Sequence, residues 1–261
     1  MIRRPLLLLR CLTRLTLLLL PALLASQQAR ADTLTVAVAA NVQYAFDDLR
    51  AEFKTETGHD IRPIYNSSGK FAAQILNGAP FDVFLSADME YPQTLYERRA
   101  TVNAPRIYAY GTLVVWTMKD IDLAKWQSVL TDPATKHIAI ANPKMAPYGR
   151  EAYRALAHYQ LQNAVASKIV FGESISQTDQ YVQSGAADIG FTAKSVVLSP
   201  ELKGKGKWID LPQESYQPIA QGAVILKHGE ATHPKATQQF YDFLFSKKAR
   251  AIFARYGYAL P

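Results

Sequence analysis

The amino-acid sequence predicts an α/β protein of two lobes, each a mostly parallel sheet flanked by helices, with a ligand cleft between the lobes. Two observations lead to this prediction. Short apolar runs typical of strands alternate with segments whose apolar residues recur at helical spacing. This alternation runs through residues 34–99 and starts again at residue 112. Open sheets of this kind bind ligands at the carboxyl ends of their strands, so a cleft between the lobes is the expected site.

The first unit contains three predicted strands, each followed by a helix. Leu34–Ala39 is a strand, and a one-sided apolar stripe over residues 42–53 predicts the next helix, which Gly58 ends. The remaining elements are a strand over Ile61–Tyr65, a short helix closed by Asn77-Gly78, a strand over Asp82–Leu85 and a helix over Tyr91–Arg99. Helical crossovers between strands are what a parallel sheet requires.

The second unit repeats this order and leads into a helical tail. Its predicted strands are Thr112–Thr117, His137–Ala141, Ile169–Phe171 and Asp188–Thr192, and its predicted helices are Trp126–Leu130, Arg150–Leu161 and Asp179–Ser184. A further strand over Gln217–Leu226 precedes the tail, which is helical from about Pro234. The basic run Lys203–Lys207 is interpreted as a solvated turn.

Residues 1–31 are typical of a cleaved secretory signal peptide. An arginine-rich start precedes the apolar run Leu15–Ala25, which is short for a membrane span. Ala29-Arg30-Ala31 fits a signal-peptidase site, so the mature chain is expected to begin at Asp32; an uncleaved membrane anchor is the alternative. The single cysteine, Cys11, lies in this segment. The mature chain is therefore expected to be exported and soluble, without a disulfide.

The formal net charge of +7 does not indicate a nucleic-acid-binding protein. Residues 1–31 hold five of the 29 basic side chains and none of the 22 acidic ones. The rest of the chain is near neutral, which argues against a polyanionic partner.

Four predicted strand-to-helix junctions are candidate anion-binding elements. They are Ala39-Ala40-Asn41, Ser67-Ser68-Gly69, Pro147-Tyr148-Gly149 and Glu173-Ser174-Ile175-Ser176. The N–H groups in the first turn of a helix have no intrahelical acceptor and lie at the positive end of the helix dipole, so they bind anions without a cationic side chain. The alternative is that Asn41 and Ser68 are N-caps of their own helices. Recurrence at four places favours a ligand site, in which Ser67 is expected only to support the turn.

The sequence lacks the motifs of common enzyme and metal sites. Asn66–Lys70, NSSGK, lacks the earlier glycine and the following Ser or Thr of a phosphate-binding P-loop. The five histidines have no metal-ligand spacing. An exported serine hydrolase is the alternative from a different functional class, and its nucleophile, Ser68, would need a histidine base nearby in space.

Five segments of the sequence resemble the periplasmic molybdate-binding proteins of ABC importers. They are Val36–Leu49, Asn66–Asp88, Ala141–Leu156, Gly185–Ser195 and Ala249–Tyr258. The resemblance extends over essentially the whole mature chain, in order. The serine–glycine turn joined to QILNGAPFDVFLSAD is the most specific part of the resemblance.

The resemblance implies a type II periplasmic-binding-protein fold, with two lobes joined by two crossover strands. Lobe 1 is expected to comprise residues 32–112 and 217–261, and lobe 2 residues 113–216. The implied function is capture of molybdate, and of tungstate, in the periplasm for delivery to the membrane permease of an ABC importer. We expect a monomer without enzymatic activity or cofactor. A carrier of sulfate or another tetrahedral oxyanion is the alternative.

Carried over residue by residue, the resemblance implies four ligand-binding residues. Asn41 occupies the first donor position, Ser68 the second through its hydroxyl and N–H, Tyr148 the third, and Ile175 the fourth through its N–H. Many family members supply a tyrosine hydroxyl at the place that Ala193 occupies here. Our hypothesis is that the Tyr148 hydroxyl replaces it from the other side of the cleft.

A site of neutral donors suits molybdate, which is a dianion without a proton at neutral pH. Hydrogen phosphate carries an O–H group that needs an acceptor, so a pocket of donors alone rejects it. The side-chain oxygen of Asn41 is one possible acceptor. Sulfate has the same charge and shape as molybdate, so only the size of the closed pocket can exclude it.

Overall fold

The computed structural model describes residues 31–261, in which ten strands form two five-stranded sheets. The strands are β1 (Thr33–Ala39), β2 (Asp60–Asn66), β3 (Val83–Leu85), β4 (Arg106–Gly111), β5 (Leu113–Thr117), β6 (Ile138–Ala141), β7 (Ile169–Gly172), β8 (Ile189–Ala193), β9 (Lys207–Asp210) and β10 (Ile219–Ile225). The sheet orders are β2-β1-β3-β10-β4 and β7-β6-β8-β5-β9. The predicted signal peptide lies outside the described residues, apart from Ala31.

Each sheet has four strands that point one way and one strand that points the other. In the first sheet, β1 pairs in parallel with β2 and β3, while β10 runs antiparallel between β3 and β4. In the second, β6 pairs in parallel with β7 and β8, while β5 runs antiparallel between β8 and β9. The predicted mostly parallel sheets are confirmed. We call the parts of the chain built on these sheets the first and the second lobe.

Helices flank both sheets, as predicted. The α-helices of the described residues are α1 (Gln43–Thr57), α2 (Ser68–Leu76), α3 (Glu90–Glu97), α4 (Trp126–Thr131), α5 (Pro147–His158), α6 (Gln162–Val165), α7 (Ile175–Gln183), α8 (Lys194–Val197), α9 (Lys227–Thr232), α10 (Pro234–Phe243) and α11 (Lys247–Arg255). In this part of the chain, no helix is both long and apolar enough to cross a membrane.

Two helices begin earlier than the apolar pattern predicts. α5 starts at Pro147 rather than Arg150, because proline suits the first helical position, where an N–H has no intrahelical acceptor. α7 starts at Ile175 rather than Asp179, because the Ser174 side chain accepts a hydrogen bond from the N–H of the third helical residue. Both corrections bring predicted site residues into the first turn of a helix.

Two short segments link the lobes. β4 ends at Gly111 and β5 begins at Leu113, so one residue, Thr112, separates them. Residues 211–218 lead back from β9 to β10. The sequence prediction missed β4 and β9. β9 is the partly exposed edge strand of its sheet, and its four residues show no apolar alternation.

Each lobe has its own apolar core. In the first, Phe53 contacts Phe240 of the helical tail, with ring centroids 5.2 Å apart. In the second, Trp126 packs edge-on against Phe191 of β8 at 6.1 Å. Most of each core lies within one lobe, although Ala39, Ala40 and Ala87 of the first lobe also pack on the core of the second. The two lobes can therefore move relative to each other about the two short segments that join them.

Candidate ligand-binding site

The carboxyl ends of four strands meet at a small cavity between the lobes. β1 and β2 lead into it from the first lobe, and β6 and β7 from the second. Its lining residues are Ala39, Ala40, Asn41, Asn66, Ser67, Ser68, Ala87, Ala146, Pro147, Tyr148 and Ile175. All four site residues predicted from the sequence therefore lie at one cavity. The volume open to the centre of a water molecule is about 10 Å³, so the closed cavity is small.

Three helices point their N-termini at this cavity. α2 begins at Ser68, α5 at Pro147 and α7 at Ile175, and each of these residues lines it. The first N–H groups of a helix lack intrahelical acceptors, and the helix dipole makes this end positive. None of the described residues that line the cavity carries a charged side chain. The site therefore offers positive potential from neutral groups, which suits a small anion.

Ser68 presents a hydroxyl proton that is free for a ligand. Its Oγ accepts a hydrogen bond from the N–H of Ala87 at 2.9 Å, so the hydroxyl satisfies one lone pair within the protein and keeps its proton to donate. Ser68 is the first residue of α2, and the N-cap is Ser67. The alternative prediction that Ser68 caps its own helix is therefore wrong.

Asn41 lies at the cavity wall, but its side chain is committed to the protein. Its Nδ2 donates to Oε1 of Gln221 at 2.9 Å and to the hydroxyl of Tyr258 at 3.1 Å. Its main-chain oxygen accepts from Ser195 Oγ at 2.7 Å. Asn41 belongs to a 3-10 turn, Ala40–Val42, that no side chain caps. The N-cap prediction is wrong for Asn41 too.

Tyr148 brings the one phenolic hydroxyl among the described residues that line the cavity. It is almost completely buried, and its oxygen accepts a hydrogen bond from Nε2 of Gln221 at 3.2 Å. Burial raises the pKa of the Tyr148 hydroxyl well above its ordinary value, because the phenolate would lose its hydration. The hydroxyl therefore keeps its proton at neutral pH and, with an acceptor role already filled, has that proton to donate.

Ile175 is the first residue of α7, where its N–H has no intrahelical acceptor. Ala193 occupies the place at which related proteins were expected to carry a tyrosine. It is the last residue of β8, is fully buried and is not among the residues that line the cavity.

Gly149 allows α5 to start close to the end of β6. A Cβ atom at this position would lie 1.9 Å from the main-chain oxygen of Ala141, so no larger residue fits without a backbone shift. This close approach fixes the first turn of α5, and with it Tyr148, against the carboxyl end of the sheet.

Charged residues surround the cavity in pairs that join the two lobes. Arg150 of α5 pairs with Asp88 of the first lobe and with Glu90 at 3.1 Å. Lys70 of α2 pairs with Glu173 of the second lobe. Burial raises the pKa of the Asp88 carboxyl, although the neighbouring Arg150 opposes this shift. The cations near the site are thus paired with carboxylates of the opposite lobe.

Neutral hydrogen bonds also hold the lobes together around the cavity. The N–H of Gly69 donates to the main-chain oxygen of Met145 at 2.9 Å, and the Tyr91 hydroxyl donates to that of Lys144 at 3.1 Å. In both bonds the donor belongs to the first lobe and the acceptor to the second. The lobes are therefore closed on each other.

Sequence reasoning missed two polar residues of the site. Gln221 of β10 is completely buried and connects Asn41, Tyr148 and Tyr108 by hydrogen bonds. A lone glutamine inside the apolar strand IAQGAVI was the available signal. The second is Ser67, whose hydroxyl was expected only to support the turn.

Nothing at the cavity resembles a hydrolase or a metal centre. No histidine is among its described lining residues, so Ser68 has no base beside it. Within residues 31–261, no group of three or more His, Cys, Asp or Glu side chains is placed to hold a metal ion.

Two lobes that close over a cavity of neutral donors define the class of two-lobed solute-binding proteins. Comparison with known proteins agrees: residues 34–259 match the family described as bacterial extracellular solute-binding protein. The chain belongs to this family, whose members bind solutes for transport.

The chain is also similar to individual characterised members. It is 41% identical to the molybdate-binding protein ModA of Azotobacter vinelandii, over 95% of this chain and 98% of that one. It is 38% identical to ModA of Rhodobacter capsulatus, over 88% and 89% of the two chains. The solved periplasmic molybdate-binding protein of A. vinelandii superposes with a TM-score of 0.83 and 35% identity, covering 87% of this chain and 99% of that one. The type II periplasmic-binding-protein fold is thereby confirmed.

Proposed function

We propose that this protein captures molybdate, and tungstate with it, in the periplasm and delivers the anion to the membrane permease of an ABC importer. One observation carries the proposal: three helix N-termini and neutral hydroxyl groups converge on a cavity that has no charged side chain among its described lining residues. The two ModA relatives are molybdate-binding proteins, which supports this choice of anion.

The proposed ligand-binding residues are Asn41, Ser68, Tyr148 and Ile175. Ser68 contributes its hydroxyl and N–H, Ile175 its N–H, and Tyr148 its hydroxyl, in place of the tyrosine absent at Ala193. Because the amide protons of Asn41 have acceptors within the protein, its contribution is the main-chain N–H. Lobe 1 (32–112 and 217–261) supplies Asn41 and Ser68, and lobe 2 (113–216) supplies the other two.

Neutral donors are sufficient for tight binding. A hydrogen bond to a charged group contributes roughly 1.5–3 kcal/mol, so five of them supply about 8–15 kcal/mol before desolvation and lobe closure are subtracted. A micromolar dissociation constant needs about 8 kcal/mol net. No cation is needed in the pocket. A lining without charged side chains also lets the anion leave when the lobes separate.

The proposed setting follows from the sequence. Residues 1–31 direct export and are removed, and the chain that starts at Asp32 acts as a soluble monomer in the periplasm. It uses no cofactor and catalyses no reaction, because the anion is cargo and leaves unchanged.

A thermal-shift screen of the chain that starts at Asp32 tests the proposal. Molybdate, tungstate, sulfate and phosphate are each added at about one hundred times the expected dissociation constant. A ligand that binds only the folded protein then stabilises it by about 2.7 kcal/mol, a rise in melting temperature of roughly 5–10 °C. We expect this rise with molybdate and tungstate.

The other outcomes distinguish the alternatives. A rise with sulfate that equals or exceeds that with molybdate would indicate a sulfate carrier. No rise with any of the four anions would overturn the proposal, and isothermal titration calorimetry checks each positive result.

A further inference from the structure

We propose that Ser67 is a further ligand-binding residue, whose hydroxyl donates a hydrogen bond to the bound oxyanion. This inference rests on the proposed function and deepens it. The residue precedes the predicted donor Ser68 and lines the same cavity. Its side chain is 4% exposed, and its Oγ is a buried polar atom with no hydrogen-bond partner among the described residues.

A buried hydroxyl without a partner costs stability unless something bonds to it. Ser67 occupies the N-cap of α2 with an extended backbone, φ −70° and ψ 149°, which is the geometry of a serine that caps its helix. Even so, its side chain makes no capping hydrogen bond. The hydroxyl is therefore placed for a different partner.

The opposite lobe takes up one of the two helix N–H groups that the Ser67 side chain could cap. An N-cap side chain bonds to the second or third N–H of the helix. In α2 the second of these belongs to Gly69, and it donates to the main-chain oxygen of Met145 across the cleft at 2.9 Å. With the lobes closed, the Gly69 N–H is bonded to the second lobe, while Ser67 lines the cavity and its hydroxyl has no partner among the described residues.

Ser246 provides a matched control from the same chain. It is the N-cap of α11 with nearly the same backbone angles, φ −69° and ψ 161°, but its Oγ does accept a hydrogen bond, from the N–H of Ala249 at 3.2 Å. Ser246 lies outside the cavity lining. Comparing variants of the two serines therefore distinguishes the loss of a ligand-binding hydroxyl from the loss of a helix-capping one.

The experiment measures the dissociation constant for molybdate by calorimetry and the melting temperature without ligand. It compares the wild-type chain from Asp32 with Ser67→Ala, Ser67→Gly and Ser246→Ala. We expect both Ser67 variants to bind molybdate about tenfold more weakly, because the lost bond is made to a charged group, and to melt close to the wild-type temperature. Ser246→Ala is expected to melt lower and to keep wild-type affinity.

Two outcomes would overturn the inference. Wild-type affinity in either Ser67 variant would remove this hydroxyl from the site. A melting temperature lowered as much as in Ser246→Ala, in both Ser67 variants, would assign Ser67 to helix capping. Failure of the wild-type protein itself to bind molybdate or tungstate is a separate result, seen before any variant is compared, and it would overturn the proposed function together with this inference.

Discussion

Gln221 of the first lobe donates a hydrogen bond from its Nε2 to the hydroxyl oxygen of Tyr148 in the second, at 3.2 Å. The Oε1 of Gln221 accepts hydrogen bonds from Asn41 and from Tyr108, each at 2.9 Å. A completely buried amide thus connects groups of both lobes at the wall of the cavity. Since its N–H occupies an acceptor position of the Tyr148 hydroxyl, the phenolic proton remains available for another acceptor, which in the proposed site is the anion.

This arrangement predicts that Gln221 and Tyr148 act as a unit. Tyr148→Phe is expected to weaken molybdate binding about tenfold, because a charge-assisted hydrogen bond is lost. Gln221→Leu is expected to weaken binding by a similar factor in the wild-type background, but by much less when Tyr148 is already Phe. Calorimetry of the two single variants and the double variant measures this coupling. Additive losses would show that Gln221 does not act through the tyrosine, and unchanged affinity in Tyr148→Phe would leave only the main chain of Tyr148 in the site.

Ser68→Ala is expected to weaken molybdate binding about tenfold or more. The substitution removes the donor hydroxyl and also the acceptor of the Ala87 N–H, a bond of 2.9 Å. The dissociation constant is measured by calorimetric titration, with Ser246→Ala as the control that lies outside the cavity. A Ser68→Ala protein with wild-type affinity would contradict the assignment.

Arg150→Met is expected to speed the release of molybdate several-fold. The substitution leaves the mostly buried Asp88 carboxylate without its partner from the opposite lobe, so the closed arrangement loses stability. Arg154→Met is the matched control, because among residues 31–261 Arg154 forms its ion pair with Glu151 of its own helix, at 3.4 Å. Stopped-flow dissociation measures both variants. Equal release rates in the two would show that the Arg150 pair does not hold the lobes together.

Affinity for molybdate is expected to stay constant from about pH 7 to pH 9. Burial raises the pKa of Tyr148 well above its ordinary value of 10.0, so the hydroxyl keeps the proton that it donates as the pH rises. The other proposed donors are main-chain N–H groups and the hydroxyls of Ser67 and Ser68, which do not titrate in this range. Calorimetry at several pH values is the check, and a loss of affinity centred near pH 8 would point to a different, titrating donor.

Asp188→Asn is expected to lower the free energy of unfolding at pH 7 by about 1–3 kcal/mol, since the carboxylate accepts the N–H groups of Lys136 at 2.6 Å and His137 at 2.8 Å. Burial alone would raise the pKa of Asp188, but these bonds and the neighbouring Lys119 hold it below its ordinary value.

The sign of the pH dependence follows from that shift. A carboxyl whose pKa is lower in the folded state than its unfolded value of 3.8 stabilises the protein above that pH, and loses this contribution as the pH falls through the folded value. Urea unfolding at pH 7 and pH 3 should therefore show a smaller difference between wild type and variant at pH 3. Asp120→Asn, at an exposed ion pair with Lys207, serves as the control with little effect. An equal difference at both pH values would contradict the role assigned to the carboxylate.

Local patterns in the sequence predicted the α/β class and four junctions as candidate anion-binding elements, and the resemblance to the molybdate-binding family selected Asn41, Ser68, Tyr148 and Ile175 within them. These patterns could not predict what Gln221 does, since this residue meets Asn41 across 180 positions of the chain and such a pairing has no local pattern. The sequence could not predict that the Ser67 hydroxyl lacks a hydrogen-bond partner, for a related reason. The sequence shows neither the missing capping bond of Ser67 nor the bond from the Gly69 N–H to the Met145 carbonyl of the other lobe, because both depend on the folded structure.

The single residue between β4 and β5 limits how the lobes can part. With only Thr112 between two strands that belong to different sheets, the halves of the molecule can swing about this point but cannot slide apart. Rotation of the lobes about Thr112 moves Tyr148 and Ile175, as a pair, away from Asn41 and Ser68. In the proposed site, the anion is then held either by the complete set of donors or by half of it, so its retention and its release correspond to two distinct states.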